Sequence, residues 1–468
     1  MTTVLVVIGC VKIIGAAVLL YKCVVKALSN LWGGVLSAPK FSVVSEWLRN
    51  IMRRVGILLL ASVWMLCSSA VFAAPPKSAQ DALAYNLKYQ VEIMPEFQGA
   101  RVTLFVNKGD LLNRIEFSTH GDLYTSIKAN GKLTLKNEQA IWELPKDKGV
   151  LSYLVKLTHE RDSGKFDAIV NQDWAVFRGD DLVPAIHTYE KEGAYSIAKM
   201  EVILPKTWKS IETGWPRKKG NVFAIDNPDR RFDRPTGWML AGKIGTRRAT
   251  VAKTAIAVSA PIGQHFQRMD ALVFLSFVWP EVRKAFGETP DKLLIVGAGD
   301  PMWRGGLSAS NSLFLHADRP LVSENGTSPL LHELTHMVTR ISGETAKETN
   351  DDWIAEGLAE FYSIELLYRA HGITKSRRAK IMAWLNTWGG DVKHLRNGKS
   401  TGPITARAVV LLDEINSELR TRSNDKYSLD NVVRILMQKR KVSLADLEAA
   451  SQSLVGAPLK AFNSPLLH

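Results

Sequence analysis

Between residues 74 and 260 the chain alternates apolar and polar positions over short runs parted by Gly, Asn, Asp and Pro. A period of two marks half-buried strands. The clearest runs are residues 86–93, 101–106, 153–159, 197–204 and 250–258. Their number and spacing predict a β-sandwich-like domain, with Trp142, Trp174, Phe177, Trp215 and Trp238 as core or loop anchors. At residues 264–286 the period becomes helical, with Pro280 as an expected kink, and residues 292–297 read as a short apolar strand. Residues 305–316, GGLSASNSLFLH, predict another strand. Beyond Leu330 the pattern is helical, over residues 375–388, 404–420, 429–439 and 443–454 among others. The expected fold class is therefore α+β: a β-sandwich-like domain, a mixed domain and a helical C-terminal segment.

The most informative helix is residues 330–341, LLHELTHMVTRI. Leu330, Leu331, Leu334, Met337, Val338 and Ile341 recur at helical spacing, which leaves one polar edge carrying His332, Glu333 and His336. Side chains four apart on a helix lie one above the other, so both imidazoles of this HExxH can reach one metal ion, with Glu333 beside them. Ser328 is placed to cap the helix, Pro329 to start it and Gly343 to end it. A catalytic zinc needs a third protein ligand and an open position. Residues 351–362, DDWIAEGLAEFY, offer it: Asp351 or Asp352 can cap a helix whose apolar stripe is Trp353, Ile354, Leu358, Phe361, Ile364 and Leu367. That stripe leaves Glu356 and Glu360 one turn apart on a shared face, one to bind metal and the other to take the spare N–H of a ligand histidine.

HELTH followed by WIAEGLAE resembles the gluzincin metallopeptidases, and among them the glycyl and alanyl aminopeptidase families. The resemblance is specific over residues 292–366. It implies a thermolysin-like catalytic domain behind a β-rich one, one zinc ion per chain held by His332, His336 and Glu356, Glu333 as general base and Glu360 as the partner of a ligand. In these families the strand at 305–316 edges the cleft and carries a glutamate for the substrate's free amine. Here Ser308 stands in that place, with Asn311 and Ser312 retained, so Ser308 and Asn311 are the expected substrate-binding residues. The families' oxyanion-binding tyrosine is absent from the corresponding position near Gly402, where the chain reads TGPITAR. Tyr427, Tyr368 and a residue of a shifted loop are the candidates for its place.

The N-terminus has a different character. Residues 52–73, MRRVGILLLASVWMLCSSAVFA, read as a secretory signal cut after Ala73. Residues 1–51 are then a mis-called start or a membrane segment, since residues 3–25 are apolar apart from Lys12 and Lys22. The expected organisation is completed by a β-rich domain at 74–260, a catalytic domain at 261–395 and a helical segment at 396–468. Export, most simply to a periplasm, follows, with membrane attachment only through an uncleaved N-terminal segment. Cys10, Cys23 and Cys67 all precede the cut, so the remaining chain has no disulfide framework, thiolate nucleophile or cysteine-bound zinc.

The chain has a formal charge of +14, and residues 1–73 contribute seven Lys or Arg against one acid. The other basic runs, at 217–219, 230–234, 375–380 and 439–441, are scattered, which fits a solvated surface rather than a nucleic-acid site. The expected partner is a peptide or protein substrate. Two other readings remain open at this point: a catalytically weak or inactive binding protein on the same fold, and a zinc amidohydrolase acting on non-peptide substrates.

Overall fold

Alternation is realised in the first half of the chain as buried inward positions and wetter outward ones. The computed structural model describes residues 82–227 and 232–468; the expected leader and signal at 1–73, and all three cysteines with them, lie outside the described residues. Strand β1 (Ala84–Met94) turns Tyr85, Leu87, Tyr89, Val91 and Ile93 inward and pairs antiparallel with β2 (Gly99–Val106). Beyond β2 lies β3 (Gly149–Lys156), and on the other side of β1 lies β4 (Tyr195–Ile203), parallel to it. These four are the middle of a seven-stranded sheet, with Val222–Ile225 and Arg217–Lys219 outside β4 and Tyr124–Ala129 outside β3. Four- and five-stranded sheets share this region, and all five predicted anchors, from Trp142 to Trp238, are buried.

The run at 153–159 is not one strand. It ends at Lys156, where the N–H groups of Leu157 and Thr158 both turn to the carbonyl of Gln98, and His159 opens a strand in another sheet. The run at 250–258 straddles a hairpin of β5 (Ile244–Val251) and β6 (Thr254–Pro261). Its two turn residues, Ala252 and Lys253, both have positive φ. Asn and Gly usually mark such turns, so this one left no signal in the sequence.

Helix α1 (Arg268–Phe286) carries the chain from β6 to β7 (Lys292–Ala298), parallel to β6. It starts four residues later than the pattern predicts, after His265 at a φ of 56°, and Pro280 lies within it. The stretch at 305–316 is a hairpin rather than one strand, made of β8 (Gly306–Ala309) and β9 (Ser312–His316). The order β5-β6-β7-β9-β8 leaves β8 at the sheet's edge.

This sheet crosses the expected division of the chain at residue 260. Leu293, Ile295, Leu313 and Leu315 face the helices, while Leu294, Val296 and Phe314 on the other side of the same strands pack on Trp174, Val176, Trp238 and Leu240 of the β-rich region. Strands β5 and β6 precede the division yet belong to the later sheet, because pairing across the α1 crossover is a long-range event that local periodicity does not record. The boundary at 395 likewise crosses a single core. Helices α2 (Pro329–Thr339), α3 (Asp352–Arg369), α4 (Lys375–Trp388), α5 (Pro403–Arg422), α6 (Leu429–Lys439) and α7 (Leu444–Val455) bury their apolar faces together, Leu334 and Leu358 in one cluster with Leu395, Leu412 and Leu447.

Candidate metal centre

Helix α2 begins as its sequence requires. The hydroxyl oxygen of Ser328 accepts the N–H of Leu331 at 3.2 Å, with Pro329 in the first turn. Burial of Leu330, Leu331, Leu334, Met337 and Val338, each contributing about 1.5–3 kcal/mol, fixes the rotation of α2, which leaves His332, Glu333 and His336 on its partly open face. The helix ends earlier than Gly343: Arg340 adopts a left-handed φ of 52° and gives its N–H to His336. Gly343 instead lets the chain pass the backbone of Asp351 and Asp352, where a methyl group would come within 2.3 Å.

Asp351 stands at the N-terminal boundary of α3 but makes no cap bond. Its buried carboxylate accepts from Arg396 Nε at 2.6 Å and from the N–H of Leu444 at 3.0 Å, while Asp352 accepts the N–H of Ser400. The two acids expected to cap α3 thus fasten the loop before α5 and the start of α7 to it, and Asn350 takes the N–H of Asp352. The predicted stripe from Trp353 to Leu367 is buried throughout. Gly357 allows α3 to lie against α5, since a methyl group there would sit 2.9 Å from Ala408 Cβ.

These packings bring Glu356 and Glu360 over α2. His332 Nε2 and His336 Nε2 are 3.2 Å apart, and the two carboxylate oxygens of Glu356 lie 3.4 Å from each of them in turn. Tetrahedral ligands about 2.0–2.1 Å from a zinc ion are separated by about 3.3–3.4 Å, so the triangle has the right size. His332 Nδ1 is 3.0 Å from Glu360 Oε2, and its N–H donates there, which turns the Nε2 lone pair towards the triangle. Among the described residues, His332, His336 and Glu356 form the one group of three or more His, Cys, Asp or Glu with ligand atoms this close.

The electrostatics favour a cation. Burial works against a charged His332, yet hydrogen bonds to Glu356 and Glu360 outweigh it and raise the ring's pKa to about 10. Burial also opposes charge on Glu356, and the two histidines overcome it, holding that carboxyl well below the usual range. Both shifts express a demand for positive charge between the two histidines and Glu356, the demand that a divalent cation would satisfy.

Glu333 points to the other wall of the cleft. A methyl group on Gly306 would come within 2.7 Å of Glu333 Cγ and 3.0 Å of Oε1, so β8 passes close to this carboxylate because it has glycine there. The alternation of β8 sends Leu307 and Ala309 into the core shared with the β-rich region, which leaves Gly306 and Ser308 on the cleft side. Gly306 is the site residue that motif reasoning missed; a glycine inside a strand is the signal for such close approach.

Asn311 is not on that wall. It sits in the hairpin turn at a φ of 53°, its carbonyl accepting from Leu294 and its side chain 3.5 Å from Arg340 Nη2, so its task is to shape the turn. Ser312 is buried and accepts the N–H of Trp238. His316 is fully buried, its Nδ1 accepting from the N–H of Asp318.

Neither candidate tyrosine reaches the centre. Tyr368 is twelve residues beyond Glu356 on one helix, about 18 Å along it, with the Arg378 guanidinium over its ring. Tyr427 follows the far end of α5, nineteen residues beyond Ala408, the residue that packs on Gly357 beside Glu356.

No protein-family model matches the chain, and no curated protein matches its sequence. Solved structures do resemble it. The crystal structure of an aminopeptidase N family protein from Idiomarina loihiensis aligns with a TM-score of 0.63 at 15% identity, covering 82% of this chain and 76% of that one. An M1 zinc metallopeptidase from Deinococcus radiodurans aligns with a TM-score of 0.51 at 16% identity, covering 82% and 92%. At such identities the likeness is one of architecture: this chain has the fold of those two proteins, as its HExxH and second-helix motifs led one to expect.

Proposed function

We propose that the chain is an exported zinc-dependent metallopeptidase that hydrolyses peptide bonds in peptide or protein substrates. The observation that carries this reading is the triangle of His332, His336 and Glu356 with Glu333 beside it, on a fold like that of solved zinc metallopeptidases. When bound, zinc supplies Lewis acidity, acidifying a water ligand and polarising a carbonyl oxygen. His332, His336 and Glu356 would hold it, and Glu360 keeps His332 in the tautomer that can bind. Glu333 takes a proton from the attacking water and passes it to the leaving amine. The unpaired edge of β8 gives an extended substrate backbone a strand to pair with, placing the scissile bond beside Glu333. Ser308, on the same wall, has no charge with which to hold a free ammonium group, so internal bonds are accessible as well as terminal ones.

The signal-like segment at 52–73 supports export. A second reading, a weak or inactive binding protein on this fold, is favoured by the lack of a tyrosine at the start of α5, because one oxyanion donor is worth about 10²–10³ in turnover. The test is incubation of the zinc-loaded chain with a mixed peptide library, read by mass spectrometry, with Glu333→Gln as control. Cleavage by the unsubstituted chain alone supports the peptidase. Intact peptides in the presence of bound zinc favour the binding protein.

A further inference from the structure

Helix α4 covers the core with only a narrow stripe. Ile381 and Leu385 are buried, and Arg378 turns inward to Glu365 and Asp413. On the outward side, Trp384 and Trp388 are one turn apart and stacked, ring centroids 5.0 Å apart and planes inclined by 28°. They are 39% and 46% exposed. Two tryptophans left in water side by side form an apolar patch of the kind that marks a binding surface rather than the scattered exposure normal for a protein.

Charge along α4 itself is one-sided. The sequence of α4, KSRRAKIMAWLNTW, has four basic residues and no acid. With Arg378 paired internally, Lys375, Arg377 and Lys380 face outward, Lys380 one turn before Trp384 and Arg377 one turn before that, tied only to the backbone carbonyl of Glu324. Another exposed apolar ridge, Met269, Val273 and Phe277 on α1, has Asp270 beside it and Lys284 held by Glu281, so it lacks this excess of positive charge.

We propose that the outward face of α4 docks on an anionic lipid bilayer, Lys380 and its basic neighbours meeting the headgroups while Trp384 and Trp388 enter the interfacial layer. Indole rings favour that layer because they join a large apolar body to one polar N–H, and basic residues on the same helix add attraction to anionic lipid. Stacking argues against a sugar or base as the occupant, since each ring has already given one face to its neighbour. This contact is independent of the peptidase reading and of residues 1–73.

Residues 1–73 are themselves apolar, so the experiment must read α4 directly. The full chain is exposed to hydroxyl radicals with phosphatidylglycerol-containing or pure phosphatidylcholine vesicles, and oxidation is mapped by mass spectrometry. Oxidation of Trp384 and Trp388 should fall at least about threefold on the anionic vesicles alone and recover at high salt, with Phe277 unchanged. Lys380→Ala should raise the lipid concentration for half-protection about fivefold. Full reactivity of both tryptophans on anionic vesicles overturns the proposal. Equal protection by heparin or an acidic peptide without lipid also overturns it, in favour of a soluble polyanion, and protection that grows with protein concentration alone assigns the face to a second copy.

Discussion

The helix pair α2–α3 and the hairpin β8–β9 supply the two walls of one cleft by different means. On the helices, each site residue is placed by its own neighbours in sequence: burial of Leu331, Leu334 and Val338 sets the rotation of α2, and burial of Trp353, Leu358 and Phe361 sets that of α3. On the hairpin, Gly306 faces Glu333 because of pairing with β9, which in turn depends on β7 and on Trp238 from a strand far earlier in the chain. The candidate metal centre thus rests on local periodicity, whereas the wall opposite it rests on register. Trp238 holds both strands of the hairpin, its backbone N–H donating to Ser312 Oγ and its indole N–H to the carbonyl of Leu307.

Substitutions can separate these walls. On the helical wall the largest expected effect is from Glu333→Gln, which should lower turnover by about 10²–10⁴-fold with zinc content unchanged in elemental analysis. Loss of zinc from that variant would mean that Glu333 helps to hold the metal, and the division of roles on α2 would fail. Glu356→Ala removes a proposed zinc ligand, and Glu360→Ala removes the partner of His332 Nδ1. Chelator competition should show the second weakening zinc by about 10–100-fold and the first by more. Equal weakening would blur the distinction between ligand and support.

On the hairpin wall, Gly306→Val forces a side chain into Glu333 and should lower kcat by about 10–100-fold while zinc stays bound, because misplacement of a reacting group by about 1 Å has that cost. Unchanged kcat would show that β8 is not the substrate-side wall. Asn311→Ala should leave kcat alone and cost roughly 1–2 kcal/mol in urea unfolding, the strain of a left-handed alanine, while Asn311→Gly should not. A fall in kcat with Asn311→Gly would return Asn311 to the substrate. The smallest effect is that of Ser328→Ala, about 1 kcal/mol of stability from the lost cap on α2.

Much of the centre was legible because its information is short-range. HExxH places two imidazoles on one edge of a helix wherever that helix lies, and the alternation of charge and apolar residues after Asp351 puts Glu356 and Glu360 on one face of the next. The helices at Lys375–Trp388 and Leu429–Lys439 match the residues the pattern marks. Failures occurred where a residue's partner is remote. Asp351 looks like a cap but is paired with Arg396 and Leu444, and Asn311 looks like a cleft residue but turns a hairpin. Strands β5 and β6, which precede residue 260, pair into the later sheet through equally remote partners.

By itself, then, the sequence determined which elements form, which faces they bury and which side chains share a helix edge, because those follow from periods of two and 3.6 residues. Tertiary structure decided how far apart the two ligand helices stand, which strand edges the cleft, and that Glu333 meets a glycine there. Those depend on packing at Gly357 and Ala408 and on strand register across the α1 crossover, contacts between residues that no local pattern connects.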